Sequence, residues 1–325
     1  MIRRALPALA LACAAACVDA GRGAQIAPAA SAFLEPRGAP SSPAVSTQAD
    51  AFLVWSADSA AAETVWLDAG GRAVAQRPEV VIAAGGAMWT WRKGTGMAKG
   101  IECQCMQKHD FDPGAHCPAQ AQVEVADVVD LVSGRRASLL AVPDSVEGMA
   151  PVEQRAEPLS SAGPFLFAVV RSYANACGAH GSEGVEKPVF DLSAEARETD
   201  LLGGDTAAVL AREGAAARRA LEQAGDAWTP LQEFRLSAVE ARWTPAGALE
   251  VGYRFSAGAC YACTDGESSA YNTSTLVPAQ SPPAKLAAWM QAPEAVRRWW
   301  REHPPREHAG WSAAPADGLA RFRSP

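Results

Sequence analysis

Residues 63–76 read ETVWLDAGGRAVAQ, and this stretch decides the fold class. A short run containing Val65, Trp66 and Leu67 leads into Asp68-Ala69-Gly70-Gly71, and a second run follows from Arg72. Glycine at the bend supplies positive φ without steric cost, so the stretch predicts a β-hairpin. The arrangement recurs outward along the chain. Residues 80–84 and 88–92 flank Gly85-Gly86, and residues 123–132 and 137–142 flank Ser133-Gly134-Arg135. In 88–92, Trp89 and Trp91 share one face and Thr90 takes the other. Residues 165–173, FLFAVVRSY, are the most strand-like run, and their unbroken apolar centre predicts burial on both faces.

The remaining segments fill in around these hairpins. Residues 51–55 read as a first strand, 93–100 as a glycine-rich loop, 101–106 as a further strand and 143–163 as loop. Residues 201–225 are rich in Ala, Arg and Glu, which predicts a helical insertion. Its helix spans 206–224, with Asp205 as N-cap and Gly225 just past the end. Sheet resumes at 233–243, turns at 244–247 and continues over 248–256, with 269–277 as a partner strand. The apolar positions of 233–243 do not alternate strictly, which predicts a bulge near Ser237-Ala238. Residues 283–290 read as helical. Pro293 starts a last helix, which His303-Pro304-Pro305 stops. There Val296, Trp299 and Trp300 form one stripe, a docking face for the core rather than a platform for a ligand. The expected fold is α+β: mainly antiparallel sheet, as a sandwich or partly open barrel, with a helical insertion and a helical C-terminal end.

The amino terminus reads MIRRALPALALACAAAC. Arg3 and Arg4 precede a short uncharged apolar run that ends in small residues, the pattern of a secretory signal. The run falls short of the roughly 20 apolar residues that cross a bilayer. Ala14-Ala15-Ala16-Cys17 resembles the lipobox of bacterial lipoprotein signal peptides, although that box favours Leu where Ala14 stands. Cys13, after Leu11-Ala12, is a second candidate with a shorter apolar run, and an ordinary signal cut after a small residue is the alternative. The resemblance implies removal of residues 1–16 and acylation of Cys17, so that the chain meets a membrane through lipid. Residues 17–48, rich in Ala, Gly, Pro and Ser, then read as a flexible linker. A disulfide-containing β-rich domain follows over 49–312, and 313–325 are a tail. Export places the protein in the cell envelope, on a periplasmic or surface face. A soluble secreted product is the alternative.

A net charge of −7 excludes a basic footprint for nucleic acid. Of the eight cysteines, Cys13 and Cys17 lie in the export signal. The other six are Cys103, Cys105, Cys117, Cys177, Cys260 and Cys263, an even set that an oxidising compartment turns into disulfides of open connectivity. The polar segment 103–117 also carries His109, Asp110, Asp112 and His116, an alternative metal-ligand set whose spacing matches no structural zinc pattern. Cys260-Tyr261-Ala262-Cys263 has oxidoreductase spacing but no helix start to activate a thiol, so a local bridge is expected. His180-Gly181-Ser182-Glu183-Gly184 lacks the first glycine of a nucleophile elbow. Asn272-Thr273-Ser274 is a glycosylation sequon of little weight in a bacterial context. No cofactor motif stands out. The functional expectation is therefore a non-catalytic binding or structural envelope lipoprotein whose partner is an envelope protein, a glycan or a small ligand. An exported hydrolase, or a metal-dependent enzyme using the 109–116 loop, is the alternative.

Overall fold

The hairpin over 63–76 forms one end of the largest sheet. In the computed structural model the described residues are 51–58, 61–99, 101–102, 120–143, 146–147, 149–175, 182–224, 231–258, 272–315 and 317–324. Strand β1 (Ala51–Ala57) pairs antiparallel with β2 (Ala62–Asp68), which turns at Gly71 into β3 (Ala73–Arg77). Gly71 has a φ of 80°, and the Asp68 carboxylate accepts hydrogen bonds from the Arg72 backbone N–H and side chain. The left-handed position is the one glycine fills without strain.

Strand β4 (Val81–Ala84) turns at Gly85-Gly86 into β5 (Ala87–Lys99). Residues 93–99, expected as loop, instead continue this strand. Every residue from Trp89 to Lys99 pairs with β7 (Gln120–Asp130), which β8 (Arg136–Leu140) follows. The glycines that suggested a loop serve close approach. A Cβ at Gly96 would stand 2.1 Å from Val142 Cγ2. A short parallel pair joins β6 (Ile101–Glu102) to β9 (Val146–Glu147).

Residues 143–163, also expected as loop, contain the long strand β10 (Met149–Ala162), antiparallel to β11 (Phe165–Asn175). Pro151 and Pro158 disguise it. Both fall at shifts of register, between Met149 and Val152 and between Pro158 and Ser160, where the ladder does not require their missing N–H. Next come β12 (Ser182–Glu186), β13 (Val189–Asp191) and β14 (Arg197–Glu198). Helix α1 (Thr206–Ala224) precedes the meander β15 (Gln232–Trp243), β16 (Leu249–Gly258) and β17 (Asn272–Pro278). The expected irregularity in β15 is present as a register shift between Leu236 and Ala238. A 3-10 turn over Ala284–Trp289, helix α2 (Glu294–Glu302), strand β18 (Gly310–Ala314) and helix α3 (Gly318–Arg323) complete the chain. The boundary drawn after 312 thus falls inside β18.

Among the described residues the largest sheet has the order β14-β13-β11-β10-β18-β1-β2-β3, with β12 also paired to β11. It is antiparallel except where β18 runs parallel to β10. No described sheet closes into a barrel. Its strands alternate faces, and each face has its own core. Phe52, Val54, Phe165, Phe167 and Trp311 meet Trp243, Leu249 and Val251 of the β15–β17 sheet, along with Val296 and Trp300 of α2. On the opposite face Trp55, Leu166, Ala168 and Phe190 meet Ile82, Trp89 and Val128 of the β4-β5-β7-β8 sheet. The central sheet therefore lies between two smaller sheets, and the double burial expected for 165–173 is realised at Phe165 to Val169. Helix α1 packs Val209 and Ala217 on Tyr253 and Phe255 of the β15–β17 meander.

Candidate functional site

Strand β15 turns its apolar residues onto the central sheet and so forms a seam with it. Ala241 and Trp243 are buried in the core, whereas Glu240 and Arg242 point the other way, as strand alternation requires. Two bonds fix the seam. Ser160 Oγ donates to the Ala241 carbonyl, and Trp243 Nε1 donates to the Ser161 carbonyl at 2.8 Å. Lys187, in the link between β12 and β13, places Nζ 3.0 Å from Glu240 Oε1. The same oxygen accepts a hydrogen bond from Arg254 Nε. Arg254 lies opposite Ala238, one diagonal from Glu240, within reach of long side chains. Its Nη1 also donates to Ser274 Oγ at 3.0 Å. A single carboxylate thus ties together the central sheet and two strands of the meander.

Beside this tie lies a cleft of about 330 Å³. Leu159, Phe167, Val239 and Trp243 form its walls. Lys187, Glu240, Arg242, Arg306, Glu307 and His308 stand around it. The segment 304–309 makes one lip. The Ala57 N–H donates to the Glu307 carbonyl at 3.1 Å, Arg306 pairs with Asp58 at 3.0 Å, and His308 takes a left-handed φ of 58°. Two further hollows adjoin, one under β12 lined by Arg235, Arg254 and Ser256, the other beside Thr199 and Leu202; Lys187 borders all three. The principal cleft falls in the size range of small-molecule sites, which combine apolar walls with a few polar groups that fix orientation. No protein-family model, curated protein or solved structure matches this chain. What the cleft can do therefore follows from its own chemistry.

The residues singled out from sequence lie elsewhere. Cys17, the six cysteines at 103, 105, 117, 177, 260 and 263, and the set His109, Asp110, Asp112 and His116 all fall outside the described residues, as does His180. Trp300 is buried and packs on Trp243 with ring centroids 5.4 Å apart, so it belongs to the core. Trp299 stacks on His303 at 3.6 Å, which covers one of its faces. Of the sequon, Thr273 is buried and Asn272 begins β17. No motif marks Lys187, Glu240, Arg306 or His308, which are separated by long stretches of chain. The polar positions of 235–243 were the only available signal. No described helix is long and apolar enough to cross a membrane.

Proposed function

We propose that the mature chain is an exported envelope lipoprotein that binds a ligand or partner without transforming it. The amino-terminal charge, apolar run and Ala-Ala-Ala-Cys ending support export and acylation of Cys17. The apolar-walled, charge-rimmed cleft between β15 and the central sheet supports binding, and it is the observation that carries the reading. Of the charged groups lining the cleft, Lys187 and Glu240 are held in a structural pair, with Arg254 on the same carboxylate. Such pairs suit recognition and rigidity better than proton transfer. In this reading the body is a sandwich-like stack, with the insertion at 201–225 and the helical C-terminal end covering its flanks. The linker 17–48 holds it off the membrane, and disulfides among Cys103, Cys105, Cys117, Cys177, Cys260 and Cys263 cross-link the domain.

Intact-mass and non-reducing peptide mass spectrometry of protein taken from its host tests this reading. The expected product starts at an acylated Cys17 and has its six remaining cysteines in disulfides. Recovery with Met1 attached and the thiols free would overturn it. A metal retained by peptides covering 109–116 would favour the metal-dependent enzyme instead.

A further inference from the structure

We infer that the cleft beneath the 304–309 lip takes a small amphipathic anion, an apolar ring or chain bearing one carboxylate. The inference rests on the binding reading and specifies its ligand. Leu159 and Val239, both half-buried, line the cleft beside the buried Phe167 and Trp243, and covering their remaining apolar surface contributes to the affinity. The rim supplies the selectivity. Lys187 and Glu240 are side chains only 12% and 20% exposed, and they are held to each other. That leaves Arg242, Arg306, Glu307 and His308 at the rim, with His308 Nε2 3.7 Å from the Glu307 carboxylate.

Both arginines are free to re-aim. Arg242 pairs with Glu250 and Arg306 with Asp58, but their side chains are 81% and 56% exposed. Exposed pairs of this kind hold by at most about 1 kcal/mol, so an incoming carboxylate competes readily for a guanidinium. The planar fork of arginine matches a carboxylate in two parallel hydrogen bonds. The lip is also built with strain. Left-handed backbone at a non-glycine residue persists where its surroundings hold it, and such residues cluster at binding sites. At His308 the neighbouring bond from the Ala57 N–H to the Glu307 carbonyl does the holding.

Two isosteric probes differing only in charge, 2-naphthoate and 2-naphthamide, test the inference by calorimetric titration of the mature protein in detergent. The acid is expected to bind about tenfold tighter than the amide, as one charge-assisted contact predicts. Arg306→Gln is expected to weaken the acid by about three- to tenfold and leave the amide unchanged. Val239→Trp fills the cleft and abolishes both. Should that variant fail to fold, the surface substitution at Arg306 decides alone. Equal affinity for acid and amide, or acid binding indifferent to Arg306→Gln, overturns the inference. So does the absence of binding by either compound to protein with native near-ultraviolet dichroism. If neither compound binds while the host protein is exported and acylated, only the cleft inference falls. If the protein is not exported, the titration still decides the cleft.

Discussion

Two glycines illustrate how much rests on single atoms. At Gly310 a Cβ would lie 2.1 Å from Ser161 Oγ and 2.3 Å from Trp55 Nε1, on the spot where that indole donates to that hydroxyl at 2.6 Å. Neither group can retreat, because both are fully buried and Ser161 is also the β10 partner of Gly310. Gly310→Ala should cost about 3 kcal/mol or more through overpacking and a lost buried bond. Gly252 looks as crowded, with Leu276 Cδ1 2.8 Å away, but Leu276 is 45% exposed and can rotate into water, leaving the Val277 carbonyl at 3.3 Å to shift by a few tenths of an ångström. Gly252→Ala should therefore change stability by less than about 1 kcal/mol. Urea midpoints of the two variants decide between these accounts. Asp130 gives the pH dependence. Burial pushes its carboxyl up, but hydrogen bonds from the Ser133 hydroxyl and from the Val132, Met88 and Ser133 backbone N–H groups outweigh this and lower it. A lowered folded value means that its contribution is complete above the unfolded value of about 4 and is lost as pH falls through the folded value. Asp130→Asn should thus be less stable than the parent at pH 7, and the gap in urea midpoints should narrow as pH falls below about 4.

Among the elements, the hairpins were legible because their glycines leave a local signature: Gly71, Gly85, Gly86, Gly134 and Gly247 all have positive φ. The same residue type misled where its use was not a turn. Gly94 and Gly96 in β5 admit Val125 and Val142 across the sheet, a tertiary demand that no window of sequence contains. Strand β10 was hidden for the opposite reason. Its prolines mark bulges rather than a loop, and its partners β11 and β18 lie downstream, β18 very far so. The C-terminal helix α3 was invisible because six residues hold no helical period worth reading. It exists through its contacts. Phe322 is fully buried, Gly318 packs against Trp66, and Arg77 Nη1 donates to the carbonyls of Phe322 and Ser324 at 3.0 and 3.1 Å. A cation at the last carbonyls of a helix completes its unpaired acceptors and opposes its dipole. Glu79 holds Arg77 in place and also pairs with Arg92. Arg77→Leu should therefore release α3 selectively. Amide exchange in 320–324 should accelerate at least about tenfold, the effect of 1.4 kcal/mol, while β1 and β11 stay protected. Uniform acceleration across the protein would show instead that Arg77 supports the whole fold.

For the whole molecule, the decisive feature is that one central sheet has a core on each face. The β15–β17 meander docks on one of those faces through a seam with few polar ties, and the candidate cleft is the gap which that docking leaves. The site was illegible for this reason. Residues 159, 187, 240 and 306 become neighbours only when two sheets meet, and no spacing in the chain anticipates it. The seam's ties should then be unequal. Glu240 accepts from both Lys187 and Arg254, and Arg254 is itself only 8% exposed. Removing the carboxylate takes from two poorly hydrated cations a partner they share, and losing hydrogen bonds to charged groups costs about 1.5–3 kcal/mol. Lys187→Met leaves Glu240 its bond to Arg254 and keeps the apolar stem, so it should cost clearly less. Glu240→Gln keeps the acceptor and should fall between the two. Thermal midpoints of Glu240→Ala, Glu240→Gln and Lys187→Met should therefore rise in that order. If Lys187→Met proves the most damaging, the seam is held by the link between β12 and β13 rather than by the carboxylate, and the cleft wall at Val239 and Trp243 must owe its position to the core alone.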